Sequence, residues 1–191
     1  FEQIDPLAFE RGRSAYLAST AIAQAAMAAD ATRAGRNAAW ATHLGERLAT
    51  GARVLACACD ADWPLALAAR GLDAMDLGRL PRDAGAVPRE LFARHADASL
   101  DALTALALPL LLRGWSLAGL LADARRVLRP GGVVLLAFAR EGVALVESLR
   151  GMPATSLTVD LVEHALAVAG FVEVRRMDAA DGSPALLARA P

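Results

Sequence analysis

A chain of 191 residues is long enough for one domain with a full-sized core, and 55% of it is hydrophobic, with alanine supplying about a quarter of all residues. Its formal charge of −1 gives no electrostatic footprint for nucleic acid or an anionic membrane. It contains no lysine, so all twenty basic residues are arginine, which excludes pyridoxal-phosphate enzymes with their Schiff-base lysine and NTPases with their P-loop lysine.

Residues 1–51 read as helical. Ala15 to Ala34 is a long alanine-rich segment, and Trp40 to Ala49 is a second helix closed by Gly51 at a C′ position. Leu17, Ile22, Met27 and Trp40 are its sizeable apolar groups, so the buried stripe is thin. Such a segment can cover a sheet, lid a pocket, or meet a partner protein or a second copy of the chain; covering the sheet is the simplest reading.

Arg53-Val54-Leu55-Ala56-Cys57-Ala58-Cys59 is apolar after Arg53 and reads as the first strand. Cys57 and Cys59 point to the same side of it, and no other residues supply metal ligands at a suitable spacing. Buried, reduced thiols in a cytoplasmic protein are expected, and no signal-peptide pattern is visible. Asp62-Trp63-Pro64 opens a helix that runs through Arg70, with Asp62 able to cap it and Pro64 tolerated in its first turn. Gly71 ends that helix, and Leu72 to Met75 makes a short second strand.

From Gly78 to Val87 the chain is glycine- and proline-rich loop, and Pro88 to Ala96 is at most a short helix. Leu100 to Leu108, with Asp101 near its start, is a further strand or the beginning of a helix. The longest apolar run, Ala102 to Leu112, contains Pro109 and is too short to cross a bilayer, so no membrane insertion is expected. Trp115 to Leu128 is an amphipathic helix whose last turn carries Arg125 and Arg126, where the dipole favours cations. Pro130 cannot continue it, Gly131 and Gly132 allow a reversal, and Val133 to Ala139 is apolar without alternation. A strand of that kind is buried on both faces, inside a parallel sheet. Thr158 starts a clear helix that ends at Gly170. Phe171 to Met177 and Pro184 to Ala190 are strands joined by a short turn containing Asp181-Gly182, and so pair antiparallel.

The stretch RVLRPGG followed by an apolar strand resembles the segment before the fifth strand of class I S-adenosylmethionine-dependent methyltransferases. ARVLACACDADWPLALAARG resembles their first strand and helix, and LVEHALAVAGFVEV their last helix and sixth strand. The resemblance implies an α/β, three-layer Rossmann-like fold with a mostly parallel sheet and an antiparallel C-terminal hairpin. Residues 52–191 would form this domain, and residues 1–51 a helical segment packed on its sheet, one compact domain overall.

In that family the first strand runs into a glycine-rich loop, Asp-x-Gly-x-Gly-x-Gly, whose missing β-carbons let the backbone approach the methionine part of the cofactor. Here the acidic position is Ala56 and the glycine positions are Ala58, Asp60 and Asp62; Cys59 keeps a residue type common there. Asp60 and Asp62 beside Pro64 would cap the helix from within the protein, and Trp63 could fill the vacated space. The resemblance places cofactor contacts at Cys57, Ala58, Cys59 and Asp60, at Asp76 for the ribose hydroxyls, and at Asp101, which resembles the acid that starts the fourth strand. Asp76 also fits the D-x-x-x-L-P loop before that fourth strand, in which case one strand–helix unit is missing.

Ala105, Leu106, Ala107 and Leu108 offer no acid or base, and His43, His95 and His164 have no partner at an obvious spacing. No catalytic residue and no metal site are assigned. A dinucleotide oxidoreductase fits poorly, because no glycine stands between Gly51 and Gly71. Two readings remain. The lost glycines and the lost acid favour a methyltransferase-fold protein with a degenerate cofactor loop, binding no cofactor and acting as a partner, regulatory or interaction subunit. The alternative is an active enzyme that uses S-adenosylmethionine on a small molecule or another non-nucleic-acid acceptor.

Overall fold

The computed structural model describes residues 31–57, 62–76, 92–106, 108, 116–138, 158–179 and 181–191. In chain order these form helix α1 (31–45), β1 (Arg53–Cys57), α2 (Trp63–Ala68), β2 (Asp73–Asp76), β3 (Leu100–Ala105), α3 (Leu117–Val127), β4 (Leu128–Ala137), α4 (Val159–Val168), β5 (Val172–Asp178) and β6 (Pro184–Arg189). The strands make one six-stranded sheet in the order β2-β1-β3-β4-β6-β5. β1 to β4 are parallel, and β6 is antiparallel to both β4 and β5. Among the described residues no helix is long and apolar enough to cross a membrane.

The unbroken apolar runs have a direct cause. Alternate residues of each inner strand enter two separate cores, so both faces are apolar apart from Thr104, whose hydroxyl is hydrogen-bonded. Leu55, Cys57, Leu103, Val134, Leu136 and Leu186 meet α3 and α4 on one face. Val54, Ala56, Ala102, Val133, Leu135 and Leu187 meet Trp40, Ala41 and Leu44 of α1 and Trp63 and Leu67 of α2 on the other. The described part of the N-terminal region thus lies on the sheet. α1 is one helix through residues 31–45, without the break predicted between Ala34 and Trp40. Gly35 faces open space, while Arg36, Asn37, Trp40, Ala41 and Leu44 are buried at helical spacing and keep the intervening turn in register.

The Pro-Gly-Gly stretch is not a free turn ahead of the strand. Leu128 already pairs with Leu100, and the next pair is Ala102 with Val133, so Arg129 to Gly132 form an irregular excursion within the β3–β4 ladder. The tail of β6 closes it: the Gly131 N–H donates to the Ala190 carbonyl (3.0 Å), and the Ala190 N–H donates to the Gly132 carbonyl (2.7 Å). Gly131 has φ +77°, and a β-carbon on Gly132 would stand 2.9 Å from the Arg129 carbonyl oxygen and 3.1 Å from that of Asp101. Arg125 and Arg126 reach away from their own helix end. Arg125 donates to the Ala169 carbonyl at the close of α4, and Arg126 to the carbonyls of Phe92 and His95 and to Asp97.

β2 begins and ends one residue later than predicted, at Asp76, which is level with Ala56. Asp76 therefore closes the second strand, and among the described residues the next strand is β3. Substituting Gly132→Ala is expected to destabilise the protein by about 3 kcal/mol, because backbone oxygens cannot yield to the new methyl. Gly182→Ala, at φ +73° but with open space around it, should cost only about 1–2 kcal/mol. Urea denaturation of both variants checks the order.

Candidate functional site

In a parallel sheet, ligands collect at the carboxyl ends of the strands where consecutive crossovers diverge to opposite faces. Here that point lies between β1 and β3. From β1 the chain passes to α2 on the α1 face, and from β3 to α3 on the other face. Their last residues, Cys57 and Ala105, are paired neighbours. Cys57 is a buried thiol. The backbone of Asp76 ends β2 on the neighbouring strand, level with Ala56. Ala58, Cys59 and Asp60 lie outside the described residues.

Asp101 lies elsewhere. It stands near the start of β3, beside Arg53, which is four residues or roughly 13 Å along the sheet from Cys57. One carboxylate oxygen accepts the Arg53 backbone N–H (2.8 Å) and the other accepts from the Arg129 guanidinium (2.8 Å). Asp101 braces the amino ends of three strands and lines a groove of about 350 Å³ there with Arg47, Thr50, Arg129 and Gly131. The expected grouping of Asp101 with Cys57 and Asp76 is therefore not found. The reason is strand direction: the first residues of a parallel strand are at the end opposite the ligand crevice.

Two further expectations change. Asp62 makes no side-chain cap on α2; its carboxylate accepts from Arg33 of α1 at 3.2 Å. Trp63 is wholly buried on the α1 face of the sheet, where its indole N–H donates to the Thr104 hydroxyl (2.9 Å). Thr104 is level with Ala56, one residue short of the strand ends. The indole is core filling on the face of the sheet. His95 is half-buried, and burial, followed by the charges of Arg53 and Arg126, holds its pKa below 6.5, so it is neutral at pH 7. Among the described residues no cluster of metal-ligating side chains forms.

The polar groups at this end of the sheet come from α1. Arg36 is 2% exposed; its guanidinium pairs at 3.2 Å with Asp181 in the β5–β6 turn and lies 5.5 Å from the centre of the Trp40 ring. Burial raises the Asp181 carboxyl. Hydrogen bonds from the Ser183 N–H and hydroxyl and from Arg36, with the Arg36 charge, outweigh it and hold the pKa below 3.8. Asn37 is 1% exposed, and neither its Nδ2 nor its Oδ1 has a hydrogen-bond partner among the described residues; the same holds for the Trp40 Nε1. A buried polar group left in that state costs about 1–3 kcal/mol. Sequence reading passed over Arg33, Arg36 and Asn37 because it weighed only the large apolar groups of this segment. Their spacing with Trp40 and Leu44, on one helical face, was the available signal.

No protein-family model and no curated protein sequence matches this chain. Solved structures do match it. A SAM-dependent methyltransferase from Archaeoglobus fulgidus aligns over 80% of this chain and 92% of its own, with a TM-score of 0.57 and 12% identity. Another from Aquifex aeolicus aligns over 78% and 88%, at 0.52 and 15%. Haemonchus contortus phosphoethanolamine N-methyltransferase 2, solved in complex with S-adenosyl-L-methionine, aligns over 81% of this chain at 0.56 and 14%. This chain spans about half of that enzyme, 52% of its length. The likeness establishes a Rossmann-like methyltransferase fold.

Neutralising Asp181 removes its buried ion pair with Arg36, so Asp181→Asn is expected to destabilise by about 2–3 kcal/mol in urea denaturation. Because the folded pKa is depressed, the carboxylate's contribution is complete above its ordinary value of 3.8 and is lost as pH falls through the folded one. The gap between wild type and variant should therefore narrow below that pH.

Proposed function

We propose that the protein binds S-adenosylmethionine at the carboxyl ends of β1 and β2 and transfers its methyl group to a small molecule or another non-nucleic-acid acceptor. One observation carries this reading: Asp76 closes β2 level with Ala56, an acidic residue beside the divergence of β1 and β3 in a methyltransferase fold. The solved neighbour in complex with S-adenosyl-L-methionine supports the choice of cofactor.

Of the features that favoured loss of the cofactor, the described residues bear on Asp62 and Trp63, while Asp60 lies outside them. Asp62 is turned to Arg33 and does not cap α2. Trp63 packs on the α1 face of the sheet, with its indole N–H on the Thr104 hydroxyl. The fit of the cofactor then rests on Asp76 as acceptor for the ribose hydroxyls and on the run from Cys57 through Ala58 and Cys59 to Asp60 at the end of β1. Asp101 has no part in it.

Bound S-adenosylmethionine supplies an electrophilic methyl group on a sulfonium. The protein's part is placement, since in-line alignment of two reactants is worth a large share of such a barrier. Ala105, Leu106 and Leu108 are buried and apolar at the end of β3. They exclude water and bring no acid or base of their own.

Isothermal calorimetry against S-adenosylmethionine and S-adenosylhomocysteine, with adenosine as control, tests the proposal. Micromolar binding is expected, with Asp76→Ala weakening it by about tenfold or more through the lost ribose hydrogen bonds. Absence of binding at millimolar ligand would overturn it in favour of an interaction subunit.

A further inference from the structure

The groove of about 350 Å³ at the amino ends of the strands, opposite the crevice, is built from two backbone segments that are each held in place. One is the turn from α1 into β1. There the Arg47 and Leu48 N–H groups donate to the Leu44 carbonyl, the Ala52 N–H to that of Ala49, and the Gly51 N–H to that of Gly71 (2.7 Å). Gly51, at φ +79°, makes the reversal. The other is the Arg129–Gly132 excursion, fastened at both glycines by Ala190. Each segment brings one arginine to the groove, and Asp101 lines it as well.

The charges do not balance within it. Arg47 gives one N–H to the His43 carbonyl (2.8 Å), and its ion pair with Glu46 is long, at 3.8 Å. Arg129 gives one N–H to Asp101 (2.8 Å). A guanidinium carries five N–H donors, so both retain donors for a ligand. Asp101 is the one carboxylate among the lining residues, against two cations. Each of its oxygens has accepted one hydrogen bond, and a carboxylate has about four lone-pair sites, so it can still accept from hydroxyl groups. A bare anion would meet repulsion at Asp101, and a neutral polyol would leave one cation without a counter-charge. A molecule with both a phosphate and hydroxyls satisfies the set, and guanidinia take phosphate oxygens in forked pairs. We propose that this groove binds a small phosphorylated polyol of the sugar phosphate class, its phosphate on Arg47 and Arg129 and a hydroxyl on Asp101. Its volume is within the range of small-molecule sites. Asp101 is roughly 13 Å along the sheet from the strand ends, so the molecule held here is a second ligand, distinct from any methyl acceptor and independent of the cofactor reading.

Calorimetry with three probes tests the assignment: ribose 5-phosphate, ribose, and inorganic phosphate. Ribose 5-phosphate is expected to bind about tenfold or more tighter than either of the others, since each supplies only half of the contacts. Arg47→Met and Arg129→Met keep the aliphatic stem and remove the charge. Each should weaken ribose 5-phosphate about 10- to 100-fold, as for lost hydrogen bonds between charged groups. Arg47→Met, which breaks one exposed contact to a carbonyl, should melt with wild type. No binding of ribose 5-phosphate at millimolar concentration, or unchanged affinity in both variants, would overturn the proposal. Equal affinity for inorganic phosphate and ribose 5-phosphate would overturn the role of Asp101 and with it the polyol.

Discussion

β4 is hydrogen-bonded along both edges, parallel to β3 and antiparallel to β6, while alternate side chains from Val133 to Ala137 enter two apolar layers. A strand so placed has no solvent face, and its neighbours inherit the same restriction. The excursion at Arg129 to Gly132 lets a helix end and this strand share residues: Leu128 closes α3 and already pairs with β3. The final residues of the chain then fasten the excursion through Gly131 and Gly132. Helix end, central ladder and C-terminal strand are coupled at one glycine pair.

On the α1 face the packing is less uniform. Trp40, Trp63 and Leu67 fill it with bulk, yet Arg36 and Asn37 are buried among them. Burying a guanidinium costs several kcal/mol unless a counter-charge and further hydrogen bonds meet it, and Asp181, itself held by Ser183, supplies the counter-charge. A helix whose only duty was to cover a sheet would gain from leucines at these positions.

A glycine-loop pattern describes one way of letting a backbone approach a ligand. Its loss in this chain removes that approach without showing that the crevice is filled. Among the described residues, Asp62 turns outward to Arg33, and Trp63 is anchored to Thr104 on the sheet face. Asp60, the other acid read as a cap, lies outside the described residues. Fold alone confers no activity, and the proposed activity stands on Asp76 at the end of β2.

The sequence by itself determined the elements. Unalternated apolar runs marked the buried strands, Thr158 marked the start of α4 by capping Leu161, and Gly71 and Gly170 marked helix ends at positive φ. These signals are short-range consequences of sterics and capping, so they are complete within a few residues. The sequence left Asp76 between the end of β2 and a later loop, and its pairing with Ala56 decided for the strand. Asp101 was read as starting its strand, and strand polarity alone would have put it at the end away from the crevice. Tertiary structure decided the rest: the Arg33–Asp62 and Arg36–Asp181 pairs join residues 29 and 145 positions apart. A side chain's local neighbours state its options, whereas which partner it takes depends on which distant element packs beside it. That choice turned an expected helix cap into a tether for α1.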